Sequence, residues 1–418
     1  MKYKFFQIVS KEDGFLRGPF GSALKKSLFV PKSDDAYKVY EQCVPLEQNQ
    51  NLGKYYISKE YFESSLSKFD VREGDFLVSC SGVNYGAIIE LKAPVEKGVI
   101  NQALLRIRLN DRIVDHNYFL YLFKGLIYKK ITMGTGDSTV PNFPPMNVVK
   151  NIDFDLPDLQ TQKKIGQILF NLDEKVRTNT KTIDILERYA EDFFKRWFLQ
   201  FDFIGSDGKL FFSSKGEMLI DHSTKLKCPI GWKVINIKEL CNLTWGQCPN
   251  GENILPLEYD GIDAMLYCSG AGDMRDGLVV DCQAKTNLSK RTANEGDILM
   301  SVAGSIGALV ICDKKISLGR AAVAFTPKRK NHTAFCYFML KTYTDRIKQV
   351  SSGSIQKVIN DNHIDEINFA YNESVVDRFG FANTILDRCV SLIKENKQLL
   401  RAKEDLLRLL MSGQATIE

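Results

Sequence analysis

The sequence is poor in the residues that build metal centres and hydrolytic sites. Its four histidines (His116, His222, His332, His363) show no H-E-x-x-H or similar spacing that would put two imidazoles on one metal. Ten cysteines are scattered without a C-x2-C pair, which excludes a zinc ribbon and argues against a disulfide scaffold. They are expected as small buried apolar residues in a reducing compartment. No window reaches the run of about 18 apolar residues that a membrane helix needs, and MKYKFFQIVSKEDGF at the start lacks the apolar stretch of a signal peptide. A soluble cytoplasmic protein without a membrane partner is expected.

Catalytic motifs are equally scarce. GPFGSALKKS (18–27) lacks the G-x4-G-K-[ST] spacing of a phosphate loop. NFPPM (142–146) approaches the Asn-Pro-Pro-aromatic motif of adenine methyltransferases, but Phe143 is inserted and Met146 stands where an aromatic should stack on a flipped base. It reads as a proline turn. Asp387 with Glu395-Asn396-Lys397 imitates a nuclease D…E-x-K, yet on one helix that separation exceeds about 10 Å, too far to share a metal. Neither a catalytic residue nor a metal ligand is assigned.

What the chain does contain is ordinary globular composition in quantity. Its 418 residues, 44% hydrophobic and 26% charged, suffice for two or three domains. A net charge of +5 favours an anionic partner only mildly.

From Asp158 to Phe198 apolar residues recur at steps of three and four: Ile165, Ile168, Leu172, Val176, Ile183, Leu186, Ala190, Phe193 and Trp197. Only Asn179 interrupts them. So narrow a seam on a charged surface is the pattern of a long helix paired with another long helix. The partner lies in the same chain, from Ser374 to Met411, with Phe379, Ala382, Leu386, Val390, Ile393, Leu400 and Leu407 on a like stripe and Asn396 near its middle. Asn179 and Asn396 either fix the register of the pair, as a buried asparagine does in coiled coils, or face solvent where the seam drifts.

Before each helix lies a segment of short β-like runs, such as Phe76–Val78, Ala87–Leu91 and Ala103–Ile107, followed by a helical patch at about His116–Lys130. The order suggests duplication, and EGDFLVSCSGVNYGAIIE (73–90) indeed matches EGDILMSVAGSIGALVIC (295–312), with Glu73 and Glu295 222 residues apart. Gly136 with Ser138 parallels Gly353 with Ser354, and Leu172-Asp173 parallels Leu386-Asp387 at a separation of 214. The expected fold is α+β: two β-rich domains separated by two long antiparallel helices that form an intramolecular coiled coil, with an internal pseudo-two-fold duplication. Helices of about 35 to 40 residues would span about 50 to 60 Å, a ruler of one to two turns of duplex DNA.

The helix segment resembles the central region of the specificity (S) subunits of type I restriction-modification enzymes. Leu156-Pro157, Gln162, Ile165, Ile168-Leu169, Leu172-Asp173 and Phe194-Lys195-Arg196-Trp197-Phe198 carry the likeness. PIGWKVINIKELCNLTWGQCPNG (229–251) resembles the lead-in to that family's second target-recognition domain, GPFGSALKKS the start of the first, and LLRLLMSGQATI (406–417) the C-terminal end. Two departures stand out: no Pro-x-Gly-Trp precedes the first domain, and the second helix is led by AYNESVVDR (370–378) rather than Pro-Leu-x-x-Gln.

The resemblance implies target-recognition domains at 1–155 and 229–372, long helices at 156–200 and 373–418, and a connector at 201–228. It also implies a non-catalytic subunit that reads a bipartite asymmetric target in double-stranded DNA. Two methyltransferase (M) subunits, carrying their own S-adenosylmethionine, and ATP-dependent restriction (R) subunits would be its partners; this chain itself would hold no cofactor. Base and phosphate contacts need Arg, Lys, Asn, Gln and Ser on loops. Candidates are Lys25, Lys26, Asn84, Tyr85, Asn101, Gln102 and Ser138 in the first domain. In the second they are Gln247, Arg275, Lys290, Arg291, Ser305, Arg320, Lys328, Arg329, Lys330 and Ser354. Phe193, Phe194, Trp197 and Phe198 are candidate docking aromatics, or core at the helix end. The rival reading is a coiled-coil assembly protein that does not touch DNA.

Overall fold

The computed structural model describes residues 1–82, 84–133, 143–274, 277–350 and 358–411, the side chains of 133, 345–350 and 411 excepted. The chain divides into two compact units: residues 1–175 with the chain from Leu399 onward, and Val176 to Gln398. Each division falls inside a long helix, so each unit holds one β-rich domain and a portion of both helices.

In the first unit an antiparallel sheet runs in the order Phe15–Arg17, Leu104–Ile107, Phe76–Ser79, Ile88–Glu90. Beside it lies a sheet of Phe29–Val30, Tyr56–Ile57, Tyr37–Tyr40 and Gly98–Ile100, its last pair parallel. In the second unit the same order recurs: Cys241–Trp245, Ala322–Pro327, Ile298–Ser301, Leu309–Ile311, then Ile254–Pro256, Ala284–Thr286, Met265–Cys268, Ile316–Leu318, again with the last pair parallel. The second copy adds a strand, Thr292–Ala293, where the first has only an Asp70–Val99 bridge. The two copies thus share strand order and direction, which establishes the duplication at the level of topology.

The E-G-D repeat marks the turn into the central strand. Gly74 and Gly296 hold φ of +82° and +90°, which strain any side-chain-bearing residue. The following aspartate closes the turn: Asp75 accepts from the Arg72 amide at 2.9 Å and Asp297 from the Asn294 amide at 2.7 Å. The strand beyond is apolar throughout because both faces are covered. Phe76 and Val78 face one core with Leu105, Ile107, Phe119 and Phe123; Leu77 faces another with Val39, Ile57 and Val99. Ile298 and Met300 against Leu299 repeat that alternation in the second copy. Each such buried side chain contributes about 1.5–3 kcal/mol.

The first long helix, Leu159–Phe194, has 36 residues, about 54 Å of rise, and continues into a wider turn at Lys195–Leu199. It opens on Asp158, whose carboxylate accepts from the Thr161 amide at 2.9 Å. Asn372, 214 residues on, caps its second counterpart by accepting from the Val375 amide at 3.2 Å. The departure in lead-in sequence therefore leaves the cap in place. The single helix expected over Ser374–Met411 is divided into Glu373–Phe379 and Phe381–Met411. The division is at Gly380, where a Cβ would lie 2.1 Å from Asn331 Oδ1.

The helices run antiparallel. Lys403 reaches Asp173 at 2.5 Å in the first unit, and Asn179 reaches Asn396 at 2.9 Å in the second. Of the two readings for the asparagines, burial decides. Asn179 is only 3% exposed and also donates to Glu395 at 3.0 Å, so it sits inside the seam. The apolar stripe needs correction elsewhere: Ile168 and Leu400 are exposed, and Leu169, Phe194, Cys389, Leu392 and Leu410 hold buried positions instead. A helix of 3.6 residues per turn drifts against a 3.5 repeat, which moves the seam by a residue along such a length. The polar stretch after the first helix is also more than a linker. Phe203 stacks on Phe211 at 5.1 Å and against Trp232 at 5.0 Å, and Met218–Ile220 pairs with Lys227–Pro229. No helix among the described residues is long and apolar enough to cross a membrane. All ten cysteines are free, eight of them buried.

Candidate nucleic-acid interface

Strand pairing gathers a set of loops at one end of each main sheet. In the first unit Arg17 faces Leu105 and Ser79 faces Leu104. The loops after Arg17 and Ser79 and before Leu104 therefore leave from the same rim. In the second unit Trp245 faces Val323 and Ser301 faces Ala322, so the loops at 246–251, 302–308 and 319–321 share the equivalent rim.

The rim is built on backbone contact. Gly18 donates to Leu104 O and Gly246 to Ala322 O, at 2.9 and 3.0 Å. A Cβ on either glycine would strike the carbonyl oxygen of Asn101 at 1.8 Å or of Gly319 at 2.0 Å, so only glycine permits the approach. Asn101 accepts through Oδ1 from the Ala103 amide at 3.1 Å, which fixes its loop and leaves Gln102 exposed. The same hydrogen bonds place Arg320 where the first copy has Gln102. In the second unit Gln247 donates its amide to Leu318 O at 2.9 Å, and Leu318 donates to Arg291 O at 2.8 Å. Gln247, Lys290, Arg291, Ser305 and Arg320 are thereby collected on one polar, exposed rim. Lys290, Arg291 and Arg320 make no ion pair among the described residues. Cys248, in the same loop, lies 3.3 Å from the Tyr267 hydroxyl; burial, helped by that thiol, raises the phenol well above its ordinary range and keeps it neutral. In the first unit Lys25, Lys26, Asn84 and Gln102 are exposed on the rim loops.

Other candidates go elsewhere. Tyr85 is buried in the core with its ring edge-on to Tyr128 at 5.8 Å, so it supports the loop rather than reading from it. Lys328, Arg329 and Lys330 follow the far end of the strand whose start forms the rim. Lys328 donates to the Lys238 and Glu239 carbonyls, both at 2.9 Å, and Arg329 pairs with Glu373 and Asp377. Lys328 and Arg329 thus brace the domain internally, and Lys330 stands exposed beside them at that far end. Phe194 (0% exposed) and Phe198 (3%) are core residues, packed with Phe335 and Phe379, and cannot present their rings to a partner. Phe193 and Trp197 are half-buried against Phe381. Ser138, Arg275 and Ser354 lie outside the described residues, as does Asn142 of the proline-rich stretch, whose Phe143 is buried in the core.

One rim cation went unassigned in the sequence. Ser67-Lys68 precedes Glu73-Gly74-Asp75 by the same interval as Ser289-Lys290 precedes Glu295-Gly296-Asp297. Lys68 is exposed at the place Lys290 holds in the other copy. The signal was the 222-residue offset itself, extended six residues upstream.

Two tandem copies of one β-rich domain, each with a polar, partly cationic loop rim and each followed by a long helix, define a duplicated recognition protein. The model of the type I restriction modification DNA specificity domain matches residues 24–188 and 229–371, once per copy, and the chain belongs to that family. It is 22% identical to the putative type I restriction enzyme MjaX specificity subunit of Methanocaldococcus jannaschii, over 85% of this chain and 82% of that one. Identity to the HindI specificity subunit of Haemophilus influenzae is also 22%, over 83% and 88% of the two chains. The crystal structure of the type I restriction-modification S subunit from M. genitalium superposes with a TM-score of 0.62 at 16% identity, covering 98% of this chain and 96% of that one. That likeness speaks for the fold.

Proposed function

We propose that the chain is the non-catalytic DNA-reading subunit of a type I restriction-modification complex, with each rim reading one half of a bipartite, asymmetric target. The observation that carries this reading is the duplication: two rims of the same construction bear different side chains. Gln102 stands where Arg320 does, and Arg pairs bidentately with guanine edges whereas Gln suits adenine. A protein with two like frames and unlike readers suits an asymmetric target. Lys25, Lys26, Lys68, Lys290 and Arg291 supply phosphate contacts, which position without specifying.

The helix pair sets the unread spacer, and modification subunits dock on it. Phe193 and Trp197, half-buried at the helix end, remain the docking aromatics. S-adenosylmethionine and ATP belong to the partners, and the residues of this chain supply binding and orientation only. Inserting four residues in the first long helix lengthens it by about 6 Å, roughly two base pairs. Mapping modified adenines in cells that express the variant with its methyltransferase partner should show a longer spacer between unchanged half-sites. An unchanged spacer would refute the ruler. The rival assembly protein without DNA contact predicts no steep fall of duplex binding with salt, whereas phosphate contacts give a log-log slope near −0.9 per contact.

A further inference from the structure

At the tip of the first rim stands Phe20, 89% exposed. Backbone hydrogen bonds hold its loop. Gly18 is locked to Leu104 O, Pro19 is buried, and the Ala23 amide donates to Phe20 O at 2.9 Å. On the far side Gly21 lies so close to Gln102 that a Cβ there would sit 2.4 Å from Oε1. With the backbone tied down at Gly18 and at Phe20, the ring projects into solvent. In the second copy the loop that leaves from the equivalent glycine, Gly246, runs Gln247-Cys248-Pro249-Asn250 and carries no aromatic residue. The second copy builds the same frame without a ring there, so the phenyl ring answers no need of the fold. Around it are the exposed cations Arg17, Lys25 and Lys26, the chemistry of a phosphate-lined groove.

We propose that Phe20 is an apolar wedge that enters a base step of DNA held at the first rim and stacks on the base it uncovers; this rests on the DNA-reading function proposed above. Ring insertion needs a rigid mount, a ring that is not part of a core, and flanking cations to hold the backbone while stacking is broken, and all three are present here. The second rim, with no aromatic in the loop after Gly246, leaves its half-site stacked.

The test uses the full chain with its methyltransferase partner on duplexes of the mapped target, with 2-aminopurine placed at successive adenine positions of each half-site. The expected result is a rise of twofold or more in fluorescence at a position in one half-site only. Phe20→Ala should abolish that rise and weaken binding about tenfold without changing the salt slope, and Phe20→Trp should restore both. If the wild-type complex binds its target but Phe20→Ala stays within twofold in affinity, the wedge is refuted and the DNA-reading function stands. If the loss in Phe20→Ala is matched by replacing one thymine with uracil, and no position unstacks, the ring touches a thymine methyl and the wedge is likewise refuted. A wild-type complex without specific binding overturns both.

Discussion

The two copies hold the same strands together by opposite means. In the first, Arg106 and Arg108 are buried beneath the sheet and bind Asp13, Asp70 and Asp75, with Arg106 to Asp70 and Arg108 to Asp75 both at 2.7 Å. Strand register places Thr292, Ala324 and Thr326 at the positions of Asp70, Arg106 and Arg108, while Asp13 lies in a turn outside the strand pairing. Only the aspartate of the E-G-D turn is common to both. Among the described residues no guanidinium pairs with Asp297, and burial raises its carboxyl above the usual range, opposed by the Asn294 amide and the Thr326 hydroxyl. One frame therefore closes with an ion lattice and the other with small neutral residues. The difference teaches that the turn aspartate and the strand alternation are the fold's requirement, and the lattice is one way of filling the space behind them.

That comparison can be broken most severely at Arg108. Arg108→Ala leaves Asp75 and Asp13 without their guanidinium and should cost about 3–5 kcal/mol in chemical unfolding, whereas Thr326→Ala in the other copy should cost about 1 kcal/mol. Converting the strand positions of the first lattice to the second copy's residues, Asp70→Thr, Arg106→Ala and Arg108→Thr together, should cost less than Arg108→Ala alone. An equal or larger loss would show that the lattice is indispensable. At the rims, Arg320→Ala and Gln102→Ala should each lower affinity by about 1–3 kcal/mol in titrations against single-base variants, with relaxed specificity confined to different half-sites. Lys25→Ala should instead weaken all sequences alike and reduce the salt slope by about one.

Two smaller effects test features held by one copy alone. Asn179→Ala removes the donor to Asn396 and Glu395 inside the seam and should cost about 1–2 kcal/mol in thermal unfolding. His116 sits between Glu90 at 2.7 Å and Asp111 at 3.0 Å, and those partners, the Glu90 hydrogen bond first, raise its pKa to about 9. A raised folded pKa gives stability that is complete below the unfolded value near 6.5 and is lost as pH rises through about 9. With Asp111 exposed, the change should be about 1 kcal/mol, absent in His116→Gln.

Much of this architecture was legible in the residues. E-G-D repeats because a positive-φ glycine and a capping carboxylate are local needs, and the helix seam shows because its period is local too. The sorting of rim cations was not legible. Whether Lys328 or Lys290 belongs to the rim depends on which strand ends meet, and that is set by pairings such as Thr292 with Ser317 that no local pattern announces. The same holds for Tyr85 and Phe194, whose burial depends on the helices covering them. The exposure of Phe20 is equally hidden from the sequence, because an aromatic in a loop has the local pattern of a core residue.

The central claim, two rims reading two half-sites, is tested most directly by a hydroxyl-radical footprint of the chain with its methyltransferase partner on the mapped target, run beside the Arg320→Ala variant. Two protected blocks flanking an open spacer are predicted, with only one block weakened by Arg320→Ala. A single continuous block, or equal loss at both ends in the variant, would contradict it.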